Sequence, residues 1–193
     1  MTNKQIIIIG GANGSGKTTF AMNYLEELGL EFLNADLITK VLEDKGVKNA
    51  LVAAGRIFFG RLENYINNGQ SFIIETTLSG SYINKVAKKA INQGYSVKLI
   101  YLFLDDEDLC VERVKTRVLK GGHDVPEIDI RRRFLRSINN FWINMSKISN
   151  DWLLLYNGDE GFQQVAIGNK DKYAVENEFL FDKFLKLKAD DKS

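Results

Sequence analysis

The residues Gly11-Ala12-Asn13-Gly14-Ser15-Gly16-Lys17-Thr18 fit the spacing G-x-x-x-x-G-K-[ST]. Glycine at those intervals lets backbone N–H groups turn inward around phosphate oxygens, and a helix opening at Lys17 adds the positive end of its dipole. Gly11, Asn13, Gly14, Ser15, Gly16, Lys17, Thr18 and Thr19 are therefore the candidate nucleotide cradle. In such a loop the lysine reaches the β- and γ-phosphates and the Thr18 hydroxyl holds Mg2+. The bland alternative is a glycine-rich turn that happens to contain lysine. A chance match in a chain of this length has odds of roughly one in a hundred at average residue usage. The apolar run 6–9 before the motif and the amphipathic stretch after it supply the strand and helix that the chemistry requires. ATP and Mg2+ are the expected cofactors.

Further polar residues follow other apolar runs: Asn34-Ala35-Asp36 after 31–33, Glu75-Thr76-Thr77 after 72–74, and Asp105-Asp106 after 97–104. In open α/β sheets ligands bind outside the carboxyl ends of the strands, so these residues face the phosphate loop. Asp36 suits a base that takes the proton of an attacking hydroxyl. Its alternative is to cap a helix over 37–42. Glu75 and Thr77 suit the hydroxyls of an acceptor or a water on Mg2+, and the alternative for Glu75 is an acid tucked against Lys17 or a backbone amide. Asp105 and Asp106 resemble a metal-binding strand-end acid but also precede a helix over 107–118. They serve equally as its N-cap and are left out of the chemistry.

Arginine supplies the opposite charge. Arg113 and Arg117 lie four apart on one helical face, just before Gly121-Gly122-His123-Asp124-Val125-Pro126, and Arg131, Arg132, Arg133 and Arg136 follow. Phosphoryl transfer spreads negative charge over equatorial oxygens that an arginine in cis can stabilise. Two glycines, one proline and flanking arginines suggest a lid over about 117–133. The alternative is a solvated basic face. His123 reads as a hydrogen-bonding loop residue in preference to a proton shuttle, and Cys110 as a small buried hydrophobe.

The elements that must position these groups are legible as periodicity. Apolar runs at 5–9, 31–33, 72–74, 97–104 and 152–156 read as strands, several without alternation, as in parallel sheets covered on both faces. Between them lie helical faces, among them Phe20, Tyr24 and Leu28, and a long stripe of Phe134, Ile138, Phe141, Met145 and Ile148 that reads as one regular helix after Pro126. Alternation of this kind predicts an α/β class. Specifically, we expect a P-loop nucleoside-triphosphate hydrolase/kinase-like three-layer fold, with a mostly parallel five-stranded sheet, helices on both faces and a small lid. A hairpin at 165–168 and 172–175 and a helix over 176–187 form the C-terminal part, about 163–188, ahead of a charged tail. With 193 residues and no linker or repeat, one domain over 1–193 is expected.

Composition narrows the function. Lys+Arg 26 against Asp+Glu 25 leaves a net charge of +1, which is not that of a general nucleic-acid binder. One cysteine and one histidine exclude a disulfide framework and a Cys- or His-rich metal site. No apolar run is long enough to span a membrane or act as a signal sequence, so a cytoplasmic location is expected. Guanine-switch proteins need Asn-Lys-x-Asp, which Asn169-Lys170-Asp171-Lys172 does not match, and large mechanical ATPases need more chain. A small phosphotransferase remains.

Gly10-Gly11-x-Asn13-Gly14-Ser15-Gly16-Lys17-Thr18, Asn34-Ala35-Asp36, Glu75-Thr76-Thr77-Leu78-Ser79-Gly80 and Gly121-Gly122-His123-x-Val125-Pro126 together resemble the zeta toxin family, and in particular its small stand-alone members. The likeness runs in order from about Gln5 to Asn157. It implies a P-loop kinase that phosphorylates the 3′-hydroxyl of the amino sugar in UDP-N-acetylglucosamine. By that resemblance Lys17 and Thr18 serve ATP and Mg2+, Asp36 is the catalytic base, and Glu75 and Thr77 contact the acceptor. Arg113 falls at the transition-state arginine, while Arg117, Arg131 and Arg132 compete for the second arginine. The family toxins carry Gly where this chain has Thr76, so the acceptor pocket differs there. An antitoxin partner goes with the family, and nothing in the sequence identifies one. The competing readings are a kinase for another small molecule or a nucleic-acid 5′-hydroxyl, and a non-catalytic ATP-binding sensor.

Overall fold

The computed structural model describes residues 4–189, apart from the side chains of 24–27 and 189. The side chain of Tyr24 and the end of the charged tail lie outside the described residues. At the centre is β1 (Gln5–Gly10), whose four isoleucines are all buried. It pairs in parallel with β3 (Phe72–Thr76) on one side and β4 (Ser96–Phe103) on the other. Beyond them lie β2 (Glu31–Leu33) against β3 and β5 (Asp151–Gly158) against β4, also in parallel. Unbroken apolar runs suit strands covered on both faces, which is why β1, β3 and β4 sit inside the sheet. The fold is P-loop kinase-like: an α/β architecture with a mixed sheet flanked by helices.

Successive side chains of a strand point to opposite faces, so β1 divides its isoleucines. Ile6 and Ile8 join the larger core with α3 (Ala50–Asn67), α4 (Tyr82–Asn92), α5 (Glu107–Leu119), α6 (Glu127–Asn140) and α8 (Glu178–Ala189). Ile7 and Ile9 join a smaller cluster to which one helix, α1 (Lys17–Leu28), contributes Phe20 and Ala21. Leu28, expected on the apolar face of α1, is exposed. A short α2 (Ala35–Asp44) leads from β2 to α3.

The sheet has seven strands, not the expected five, in the order β2-β3-β1-β4-β5-β6-β7. The hairpin at 165–168 and 172–175 does form, with Lys170 in the left-handed region at its turn. Its first strand, β6 (Gly161–Asn169), begins earlier and pairs antiparallel along β5, so β6 and β7 (Lys172–Val175) extend the sheet itself. Polar side chains at Gln163 and Gln164 hid the start of β6 from a search for apolar runs.

The stripe from Phe134 to Ile148 is not one regular helix. Residues Phe141–Met145 form a π-helical turn between α6 and the short α7 (Ser146–Ile148). The wider turn lies where the Phe141 ring stacks on Tyr101 of β4 at 4.4 Å. One turn earlier, Ser137 exchanges a 2.8 Å hydrogen bond with the Tyr101 hydroxyl. Phe184 of α8 packs edge-on against both rings. This aromatic knot anchors the C-terminal half of α6 and leaves its N-terminal half to reach the strand ends.

Gly168 lies opposite Trp152 in the β5–β6 register, and a side chain there would collide with the indole. Gly168→Ala is expected to destabilise the fold by about 1–3 kcal/mol. Gly60, in α3 with open space around it, should behave oppositely, Gly60→Ala stabilising by about 0.5–1 kcal/mol. Urea unfolding of both variants checks the pair.

Candidate active site

The phosphate loop joins β1 to α1 and is held in shape by backbone approach. At Gly14 the backbone has φ +82, and a side chain would meet the Cys110 carbonyl oxygen at 2.6 Å. At Gly16, with φ +89, it would strike the amide nitrogen of Asn157. Both positions need glycine for conformation and for room. Lys17 is buried, 7% exposed, and its ammonium donates to the Ala12 carbonyl at 2.7 Å. Burial lowers its pKa, while the nearby Glu75 and Asp36 act to raise it. Asn13 Oδ1 and Ser15 Oγ are buried without a hydrogen-bond partner among the described residues. A desolvated cation beside unsatisfied polar groups fits a polyphosphate.

Glu75, at the end of β3, ties two neighbours together. Its Oε1 accepts from the Thr18 hydroxyl at 3.0 Å and its Oε2 from the Asn34 amide at 2.7 Å. Burial pushes the Glu75 carboxyl up, opposed by the Lys17 charge and these hydrogen bonds. Thr18 spends its proton on Glu75, which leaves its oxygen lone pairs for a metal. Among the described residues no group of three or more His, Cys, Asp or Glu could hold a metal ion. Mg2+ needs no such group, being commonly held by one or two protein oxygens together with substrate phosphates and water. Thr18 fits as the ligand, with Glu75 beside it.

Asp36 is not the cap of α2. Asn34 takes that place, its Oδ1 accepting the Leu37 N–H at 3.1 Å, and the helix starts at Ala35. Asp36 is thereby a half-buried carboxylate in the first turn, where the helix dipole favours negative charge. The Glu75 carboxylate does lie within electrostatic reach of Lys17, as its alternative reading had it, but its hydrogen bonds go to Thr18 and Asn34 while Lys17 bonds to a carbonyl. Asn34 is a residue that sequence reasoning passed over, although its strong N-cap preference was a usable signal.

The arginines separate according to their partners. Arg113 donates to the Asn157 carbonyl at 3.0 Å and Arg117 to the His123 carbonyl at 2.7 Å. Both line the cleft, and Arg117 keeps a buried Nε without a partner among the described residues. Arg131 is tied to Glu107, Asp108 and Glu127 and is not part of the cleft lining. Arg132, paired with Asp129 at 2.6 Å, and Arg133 face the cleft, whereas Arg136 does not line it. The helices α5 and α6 close on the segment 117–133 from both ends, leaving 120–126 as the non-helical connection. Asp106 caps α5, and Asp105 is held by Lys183 and Tyr156.

These groups surround a cleft of about 920 Å3. Its lining includes Asn13, Gly14, Gly16, Lys17, Thr18, Thr19, Asp36, Glu75 and Thr77, so most of the expected site residues meet in one place. Gly11 and Ser15 are buried and do not line it. Thr77 shares a 2.9 Å hydrogen bond with Ser79, and Asn140 of α6 holds this loop through the Leu78 carbonyl at 2.8 Å. Lys40, Phe58, Lys120 and Asn157 are additional lining residues with no local motif to announce them. Basic groups dominate: Lys17, Lys40, Arg113, Arg117, Lys120, Arg132 and Arg133 against Asp36 and Glu75. The near-neutral chain has concentrated its positive charge here.

The sequence profile of the AAA domain family AAA_33 matches residues 6–136. The chain belongs to this family. An uncharacterized protein of Haemophilus influenzae is 31% identical over 134 residues, which is 69% of this chain and 94% of that protein. Among solved structures, this AAA domain is similar to a chain of the AvrRxo1-ORF1:-ORF2 complex crystallised with ATP, with TM-score 0.76 and 16% identity. The match covers 99% of this chain but 65% of that one, so the neighbour is substantially longer. A chain of the PezAT toxin–antitoxin system of Streptococcus pneumoniae aligns with TM-score 0.67 and 16% identity over 95% of this chain and 78% of that chain. At such identities the likeness is one of fold. Family and fold agree on a P-loop kinase-like AAA domain. No described helix of it is long and apolar enough to cross a membrane.

Cys110 backs the Gly14 turn, is buried and has its thiol pushed up to about 12 by desolvation. The native protein should therefore resist alkylation, with a slow rate that still climbs about tenfold per pH unit from about pH 7 to about 9, where an ordinary thiol would be levelling off. The unfolded chain should react at least ~100-fold faster, as iodoacetamide labelling with and without urea would show.

Proposed function

We propose that this protein is an ATP-dependent small-molecule kinase that phosphorylates a hydroxyl of a sugar nucleotide, UDP-N-acetylglucosamine above others. The observation that carries this reading is that Asp36 shares one cleft with Lys17 and Thr18, within electrostatic reach of Lys17, and that the other charged groups of the lining, Glu75 apart, are basic. A triphosphate accounts for the positive charge around the phosphate loop. Lys40, Arg132 and Arg133 add further positive charge to the same cleft, which suits an acceptor carrying its own diphosphate.

In this reading Asp36 accepts the proton of the acceptor hydroxyl as its oxygen bonds to the γ-phosphorus. The bond from that phosphorus to the β-bridging oxygen breaks, and ADP leaves. Lys17, Arg113 and Arg117 hold the charge on the transferring group in a site where solvent is sparse. Glu75 orients the Thr18 hydroxyl, and Glu75 and Thr77 face the acceptor side. Mg2+ bound at Thr18 would neutralise phosphate charge. The segment 117–133 acts as a lid of a single P-loop kinase domain over 1–193, closing to exclude water. The zeta-toxin resemblance supports the acceptor and, with the PezAT likeness, a protein antitoxin as partner. A second reading keeps the chemistry and takes a nucleic-acid 5′-hydroxyl, since the same basic lining fits a polyanion.

Mass spectrometry of UDP-N-acetylglucosamine incubated with protein, ATP and Mg2+ tests the proposal. A product heavier by one phosphoryl group is expected. Its formation should fall by about 100-fold or more in Asp36→Asn and by about 1000-fold in Arg113→Ala, and vanish in Lys17→Ala. Unchanged sugar nucleotide would discard that acceptor, and steep salt dependence on an oligonucleotide would favour the second reading.

A further inference from the structure

Asn157 stands 142 residues from the phosphate loop in sequence and touches it directly. It sits near the end of β5, where its side-chain amide donates to the Ser15 carbonyl at 3.0 Å. Its own main-chain carbonyl accepts from the Arg113 guanidinium at 3.0 Å. The same amide nitrogen fills the space that a side chain on Gly16 would need. One residue thus joins the phosphate loop to an arginine that lines the same cleft.

The geometry of the bonded peptide gives this contact a consequence. The Ser15–Gly16 peptide is trans, so its carbonyl and its N–H lie in one plane and point in opposite directions. Holding the carbonyl toward Asn157 keeps the Gly16 N–H on the other side. The peptide lies next to glycine at φ +89, the residue type that most easily lets it rotate. Turned over, it would present a carbonyl oxygen to an anion in place of a donor. The Ser15 N–H donates to the Ala12 carbonyl at 3.3 Å and its buried hydroxyl has no partner among the described residues, so neither bonds the Ser15–Gly16 peptide.

We propose that Asn157 is a positioning residue of the phosphoryl-donor half, fixing the Ser15–Gly16 peptide for phosphate binding and placing Arg113 relative to it. The role deepens the ATP-binding reading above and rests on it. It requires the amide N–H and not merely the volume of the side chain. Asn157→Asp keeps the volume and removes the donor, and Asn157→Ala removes both.

Calorimetric titration of wild type, Asn157→Asp, Asn157→Ala and Lys17→Ala with ATP and with inorganic tripolyphosphate tests the proposal, beside thermal melts of each free protein. Tripolyphosphate has no base or sugar and reports on the cradle alone. Both Asn157 variants should bind ATP and tripolyphosphate about 3- to 10-fold or more weakly, as expected for one lost hydrogen bond, with Asn157→Asp the weaker binder. Their melting temperatures should stay near that of wild type. Equal affinities in wild type and variants would overturn the role. So would weakening toward ATP with tripolyphosphate unchanged, which would put Asn157 at the base or sugar. Weak binding that merely tracked a lowered melting temperature would also reject it, as a general loss of structure. Wild type that bound neither ligand, like Lys17→Ala, would instead reject the ATP-binding reading itself.

Discussion

A buried ammonium with no carboxylate bonded to it among the described residues is the constraint around which this molecule is arranged. Lys17 has lost most of its water and donates to a carbonyl, while the nearest acids, Glu75 and Asp36, act at longer range. Burying a charge so incompletely paired is costly unless a ligand completes the pairing. The loop around it presents glycine backbone instead of side chains, a surface that fits a compact anion approaching closely. Strand ends on both sides of β1 then set what else can reach that anion.

Amides carry much of the connecting work. Asn34 starts α2 and braces Glu75, and through those two contacts it sets where Asp36 stands relative to Thr18. Asn140 holds the loop bearing Thr77 and Ser79, and Asn157 joins the phosphate loop to Arg113. An amide suits such places because it donates and accepts at once and adds no charge to a site whose charges are already committed. The aromatic knot of Tyr101, Phe141 and Phe184 performs the complementary task, anchoring α6 so that Arg132 and Arg133 project over the cleft.

The kinase reading therefore rests on a division of labour across the sheet. Residues from β1 and α1 form the donor side, α2 and β3 bring the carboxylates, and α5 and α6 bring the arginines. The antiparallel strands β6 and β7 widen the sheet away from the cleft, and β5 meets the phosphate loop through Asn157. The two faces of the sheet are unequally clothed, with most helices on the side of Ile6 and Ile8.

The sequence by itself determined the phosphate loop, the strand–helix alternation and the carboxylates at strand ends. Each of these is written in neighbouring residues: glycines that free one turn, apolar runs that need cover, an acid that follows a strand. What only the tertiary structure decided depends on directions that neighbouring residues do not encode. Arg131, Arg132 and Arg133 are adjacent in sequence, yet successive helical positions point about 100° apart, so one is spent on Glu107, Asp108 and Glu127 while its neighbours face the cleft. Asp36 was a plausible cap by its sequence position, but the turn of α2 gave that place to Asn34 and left Asp36 in the first turn. Asn157 carries no local signal at all, because its partners come together only when β5 is laid beside β4 and the loop folds over its end.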